Sequence, residues 1–207
     1  MNVKSMPAGP LGTNCYIAHN REHALIVDPG GDPEKMIQYL TEEKLEPKAI
    51  LLTHAHFDHI GGVGELRAHY NLDVYLHENE ASWLENPQYN GSSLFMGSEI
   101  VTDRAEQVLR PGKFQIGTIP FEVIHTPGHS PGSVSFIFYD DGFVISGDVL
   151  FNQGIGRTDL PGGDIQTLEA SIRDALYQLP DHYTVYPGHG PETTIENEKQ
   201  HNPFFPI

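Results

Sequence analysis

The stretch Thr53-His54-Ala55-His56-Phe57-Asp58-His59-Ile60-Gly61-Gly62 constrains this chain more than any other, because it places three imidazoles and a carboxylate within six residues. Neutral imidazole and carboxylate are the usual ligands of borderline divalent metals, and a folded chain rarely crowds them together unless a cation holds them. The apolar run Ala49-Ile50-Leu51-Leu52 enters the cluster, and Gly61-Gly62 leads out of it to Val63, Leu66 and Tyr70 at helical spacing. The pattern predicts a strand, a ligand-bearing loop and a helix start. A helix N-terminus behind the ligands adds positive partial charge where an anion or hydroxide would sit.

With 207 residues the chain suits one domain, spanning 1–207, that buries its own core. A formal net charge of −16, without clustered Lys and Arg, argues against nucleic acid as a partner. Cys15 is the single cysteine and has no internal disulfide partner, so a reducing cytoplasm is the expected setting. Met1 to Gly12 carries Pro7, Gly9, Pro10 and Gly12 in place of the apolar core of a signal peptide, and no run of about 18 apolar residues suggests a membrane span.

Short β-favouring runs at 14–18 and 24–27 flank the polar turn His19 to His23, which predicts a hairpin ended by Asp28-Pro29-Gly30-Gly31. Asp32-Pro33 reads as a helix cap with proline in the first turn, and Met36, Ile37 and Leu40 give the helix an apolar face that Pro47 is expected to stop. A strand is expected at 72–76, then a helical stretch from His77 to Trp83, where His77 fits a helix start or the surface better than a ligand role. Residues 85–97 turn to Asn, Gly, Ser and Pro interleaved with Tyr89, Leu94, Phe95 and Met96, the composition of a lid, a binding loop or an irregular surface connection. Strands are expected at 114–116, 119–124, 133–139, 143–146 and 183–186, and Asp164 caps an amphipathic helix carrying Ile165, Leu168, Ile172, Leu176 and Leu179.

Three of these later strands end in a turn that presents one ligand-type residue after a glycine: Gly128-His129, Gly147-Asp148 and Gly188-His189. Each alone is more often a turn than a ligand, but four strand ends offering ligands suggest convergence on one sheet edge. His125 lies inside its strand, where a supporting or core role fits better than ligation.

The segment 53–62, followed in order by His129, Asp148 and His189, resembles the metallo-β-lactamase superfamily, whose pattern is His-x-His-x-Asp-His and then His, Asp and His. The resemblance covers roughly residues 10 to 195. It implies an α/β (α+β) fold, a four-layer αββα sandwich, with His54, His56 and His129 on one ion, Asp58, His59 and His189 on a second, and Asp148 bridging. Two divalent ions are implied, zinc first, with iron or manganese as alternatives. The true β-lactamases place a cysteine ligand late in the chain, and Cys15 comes far too early for that role.

Ser146 to Phe151 followed by Gly154 to Asp159 is similar to glyoxalase II, the hydroxyacylglutathione hydrolases, in the short bacterial form that lacks a C-terminal helical domain. Arg157 occupies the neighbourhood where those enzymes place a basic residue on glutathione, and it fits an ordinary surface arginine equally well. The implied reaction is cleavage of a small-molecule thioester, S-lactoylglutathione or a related hydroxyacyl thioester, by a metal-bridging hydroxide that Asp58 orients. A mononuclear-iron persulfide dioxygenase, a hydrolase of another small ester or lactone, and a non-catalytic metal-binding module are the alternatives. No membrane partner is expected.

Overall fold

The computed structural model describes residues 1–207 and divides into two compact units, one of Met1–Leu109 with Gln115–Ile119 and one of Arg110–Phe114 with Pro120–Ile207. The first unit runs β1 (Asn2–Ala8), β2 (Thr13–His19), β3 (His23–Val27), α1 (Pro33–Glu42), β4 (Glu46–Leu51), α2 (Phe57–Ile60), α3 (Val63–Tyr70), β5 (Val74–His77), α4 (Ser92–Phe95) and β6 (Gln107–Leu109). Its sheet keeps the sequence order β1 to β6, antiparallel from β1 to β3 and parallel from β3 to β6. The hairpin expected at residues 19–23 joins β2 and β3, because the Asn20 side chain accepts from the backbone of Glu22 and of His23, both at 2.9 Å. Every residue of β2 and β3 is buried, and Ile17, Ile26, Met36, Leu40, Ile50, Leu52 and Leu66 form much of the core.

Three details depart from expectation. Residues 2–8, for which the sequence suggests no element, form the edge strand β1, where a missing N–H at Pro7 is tolerable. Pro47 does not stop α1, which ends by Glu43 with Lys44 in the left-handed region; Pro47 lies inside β4, opposite Ala24, where the register with β3 slips. Asp32 precedes α1 without capping it through its side chain. Its carboxylate accepts instead from the Gly9 backbone at 3.1 Å and from Lys35 at 3.2 Å, which holds its pKa below the usual range.

The second unit contains β7 (Gly112–Ile116) and β8 (Ile119–His125), whose connecting turn clusters with the first unit, then β9 (Val134–Phe138), β10 (Phe143–Gly147), β11 (Leu150–Phe151), β12 (Gly154–Ile155), α5 (Ile165–Ala170), β13 (Thr184–Pro187), β14 (Thr193–Thr194) and α6 (Ile195–His201). Its main sheet has the order β14-β13-β10-β9-β8-β7, and β11 and β12 make a separate hairpin. Asp164 caps α5 as expected, accepting from Thr167 N at 2.7 Å. Helical geometry continues from α5 through a π turn at Ser171–Ala175 to Gln178, which buries Leu168, Ile172 and Leu176 and leaves Ile165 exposed at the start. No helix is long and apolar enough to cross a membrane.

Cys15 lies fully buried in β2, with its thiol 3.5 Å from the Met36 sulfur. Burial, and then the nearby Asp28 charge, push the thiol pKa well above its ordinary value. Native protein at pH 8 should therefore resist iodoacetamide at Cys15, and denatured protein should take up one equivalent, as read by intact mass.

Candidate metal centre

In the first unit the parallel strand β4 delivers the chain to Thr53, and one extended step separates His54 from His56. A single helical turn, α2, then carries Asp58 and His59. The His54 and His56 rings lie 4.7 Å apart between centroids, and the His54 and His59 rings 4.1 Å apart. All four ligand-type side chains are buried, His54 and His59 completely.

Neighbouring groups fix which ring nitrogen of these histidines can ligate. Thr53 donates its backbone N–H to Asp28 Oδ1 at 2.7 Å and its hydroxyl to Asp28 Oδ2 at 2.6 Å. Because that hydroxyl proton is committed, the 3.0 Å contact between Thr53 Oγ1 and His54 Nδ1 requires the proton to sit on Nδ1, and the Nε2 lone pair becomes the ligand. His59 Nδ1 lies 3.1 Å from Asp28 Oδ2, which favours the same tautomer. An outer carboxylate or hydroxyl on the far nitrogen is the usual means of orienting a metal-binding histidine.

Three more residues hold this loop. The Thr13 hydroxyl donates to Asp58 Oδ2 at 2.8 Å and so sets the carboxylate's rotation. The Ala55 N–H, between His54 and His56, donates to the fully buried Glu80 at 2.6 Å. A Cβ on Gly30 would run into the Asp58 carbonyl, so that close approach requires glycine.

In the second unit the turns after β8, β10 and β13 carry His129, Asp148 and His189, as their spacing suggested. Gly128 (φ 127°) and Gly147 (φ 53°) adopt the positive angles expected of the glycines before a ligand, whereas Gly188 does not and instead donates to the Gly147 carbonyl at 2.8 Å. His129 Nδ1 donates to the Arg157 carbonyl at 2.8 Å, so its Nε2 is again the ligand nitrogen. Asp148 Oδ2 stands 3.6 Å from His129 Nε2 and 3.6 Å from His189 Nε2, too far for a hydrogen bond and suitable for a cation held in common.

The ligand-type side chains in groups that could hold a metal ion are His54, His56, Asp58 and His59 of the first unit and His129, Asp148 and His189 of the second. Buried imidazoles in the Nε2-ligating tautomer beside buried carboxylates are a donor set that fits borderline divalent metals. His77 accepts from Asn79 N at 3.3 Å at the start of a short helical turn, in keeping with the helix-start role. His125 contacts the Pro131 carbonyl at 3.0 Å and so braces the loop that carries His129. The Arg157 guanidinium forms a two-pronged pair with Asp159, both bonds 2.7 Å, which lowers the Asp159 pKa to about 2. The backbone carbonyl of Arg157 serves His129.

A Cβ at Gly156 would collide with the Asp148 carbonyl and press on His129. Gly156→Ala should therefore cost about 1–3 kcal/mol, the usual scale for overpacking, and should weaken metal uptake; thermal melts with and without added zinc measure both.

The sequence profile of the Metallo-beta-lactamase superfamily matches residues 8–189. The chain belongs to this superfamily. Among its relatives, the probable metallo-hydrolase YqgX of Bacillus subtilis is 48% identical over 205 residues, 99% of this chain and 97% of the relative. Hydroxyacylglutathione hydrolase GloC of Haemophilus influenzae is 37% identical and covers 99% of this chain and 98% of its own length. Among solved structures, the BLEG-1 B3 metallo-beta-lactamase is 51% identical with a TM-score of 0.96, covering 98% of this chain and 99% of that one. TTHA1623 in a di-iron-bound form is 40% identical with a TM-score of 0.88, covering 98% and 100%. The expected mixed α/β fold is thus that of the superfamily, and the chain is a metallo-hydrolase by family and by its named relatives.

Proposed function

We propose that this chain is a dinuclear metal-dependent thioester hydrolase acting on S-lactoylglutathione or a related hydroxyacyl thioester. The observation that carries this reading is the end-to-end match to a relative named hydroxyacylglutathione hydrolase, 98% of whose length this chain covers. On this reading His54, His56 and His129 hold one divalent ion, Asp58, His59 and His189 hold the other, and Asp148 serves both. Three protein ligands per ion and a shared carboxylate leave room for water, as a catalytic site requires. Zinc suits the donors, and the di-iron form of TTHA1623 makes iron its chief competitor. The lone buried Cys15 thiol suits a reducing cytoplasm.

Two bound dications would lower the pKa of water towards about 7 and would polarise the acyl carbonyl. The protein's own contribution is orientation. Asp58, its rotation fixed by the Thr13 hydroxyl, would accept a hydrogen bond from the attacking oxygen at its carboxylate and so aim it. The locked tautomers of His54 and His129 keep their Nε2 atoms in place without reorganisation during the reaction. A leaving thiolate, whose conjugate acid has a pKa of about 8.5, departs without a proton donor.

A β-lactam amide is the second substrate class, favoured by the 51% identity to BLEG-1. An amide nitrogen needs a proton on departure, which makes it the harder leaving group. The test is metal quantification on purified protein, with parallel anaerobic assays of S-lactoylglutathione and a chromogenic cephalosporin. Anaerobic thioester cleavage at two metals per chain, with kcat/KM at least tenfold above that for the cephalosporin, is expected. Oxygen-dependent turnover at one iron per chain would overturn the hydrolase reading, and faster cephalosporin cleavage would transfer it to the second class.

A further inference from the structure

Four of the chain's exposed large apolar side chains, Tyr89, Leu94, Phe95 and Val101, fall within thirteen residues of the first unit, and Leu94 is 70% exposed. The segment that bears them is not a loose lid. Asn90 is fully buried, its side chain donates to the Trp83 and Ile100 carbonyls at 3.2 and 2.8 Å, and its oxygen accepts from Ser92 N at 2.9 Å. The Asn90 carbonyl in turn accepts from Phe57 N at 2.9 Å, which ties the segment to the first residue of α2, the turn that carries Asp58 and His59.

The aromatic side chains continue that link. Phe95 stacks on Phe57 at 6.0 Å, Tyr89 stacks on Trp83 at 6.0 Å, and Trp83 lies 5.8 Å from the His56 ring. A fixed apolar face therefore extends from the ligand loop out to solvent, where exposure of large apolar groups carries a free-energy cost unless something covers them. Its charge indicates what that is. Between Arg67 and Arg104 the chain has no Lys or Arg, Glu85 is paired with Arg104 at 2.6 Å, and Glu99 and Asp103 lie beside the segment. With that guanidinium committed to Glu85, the face offers little to the carboxylates of glutathione. The acyl half of the substrate is the part it can accept.

We propose that residues 89–96 form a fixed apolar contact face for the acyl group, so that thioesters with an alkyl or aryl acyl chain longer than lactoyl are preferred substrates. This rests on the thioester reading above and adds a specificity to it. Tyr89, Leu94 and Phe95 are specificity-determining residues here and take no part in the chemistry.

The test compares wild type with Leu94→Ser/Phe95→Ser on lactoyl and hexanoyl thioesters of one thiol, N-acetylcysteamine. In wild type the hexanoyl ester should have the higher kcat/KM. The double variant should lose at least tenfold on hexanoyl, mainly through KM, and less than twofold on lactoyl. Equal losses on both esters, or none on either, would overturn the proposal. A second measurement needs no turnover, because Trp83 is the only tryptophan and stacks within the face. Its fluorescence should report binding of the non-hydrolysable S-hexyl thioether of N-acetylcysteamine to wild type, with a Kd at least tenfold weaker in the double variant. Binding without cleavage of any thioester would refute the hydrolase reading and leave the apolar face standing. Absence of binding would refute the face. Light scattering completes the set: a wild-type dimer that the double variant converts to monomer would assign the face to a second copy of the chain and overturn the proposal.

Discussion

Asp148→Ala is expected to abolish metal-dependent hydrolysis, with a fall in kcat of at least about 10²–10³-fold and loss of roughly one metal equivalent per chain. Asp148 has histidine nitrogens on two sides, His129 Nε2 and His189 Nε2, each 3.6 Å from Oδ2. A carboxylate at that separation from two imidazoles attracts a cation into the space and makes no hydrogen bond to either of them. Stability measured with and without metal separates the two roles. If Asp148 is a ligand, the metal-free variant should melt at or above the metal-free wild type, because one negative charge leaves a chain of net charge −16. The gain in melting temperature on adding zinc should shrink, since a ligand present at 100 times its Kd stabilises by about 2.7 kcal/mol and a weaker site forfeits part of that. Unchanged metal content together with an unchanged rate would remove Asp148 from the centre.

The ligand-type cluster could be read in the sequence because such residues share short-range spacing: alternation along an extended chain for His54 and His56, then one helical turn for Asp58 and His59. The residues that orient them are hidden by sequence distance. Thr13 is 45 positions from Asp58, Asp28 is 25 from Thr53, and Glu80 is 25 from Ala55. None of these lies in a ligand-like motif. Asp28 looks like the first residue of a turn because Pro29, Gly30 and Gly31 follow it, and it is indeed in the left-handed region at φ 49°. A non-glycine residue held in that region and only 1% exposed is a functional signal that requires a backbone and a burial value to see. The missed edge strand 2–8 has a different cause. Edge strands tolerate proline and expose much of their length, so they leave no apolar alternation to detect. At residues 85–97 composition identified a special segment, but the buried bonds that Asn90 makes to the Trp83 and Ile100 carbonyls left no trace in it.

Asp28→Ala should have the opposite signature, a large loss of stability with no metal present. The Asp28 carboxylate accepts the Thr53 N–H and hydroxyl and lies 3.1 Å from His59 Nδ1, all in a buried setting. Alanine removes the acceptor for two buried donors at once and the negative charge beside His59. Stranding partners of a buried charge typically costs about 3–5 kcal/mol. Alanine also fits the left-handed backbone less well than aspartate does, which adds to the cost. Metal affinity should fall by a further 10–100-fold, the scale for outer partners of ligating histidines, because Thr53 no longer fixes the His54 tautomer. Asp28→Asn is the informative companion. It keeps one oxygen for the Thr53 N–H and tolerates the backbone angle, but it turns an NH2 group towards the Thr53 hydroxyl and His59. The asparagine variant should recover much of the metal-free stability and little of the metal affinity, as read by denaturant melts of the metal-free protein and by competition with a zinc chelator. Equal recovery of both would reduce Asp28 to a loop brace. Stability near wild type in the alanine variant would show that the Thr53 donors find other acceptors, and the orienting role assigned to Asp28 would fall with it.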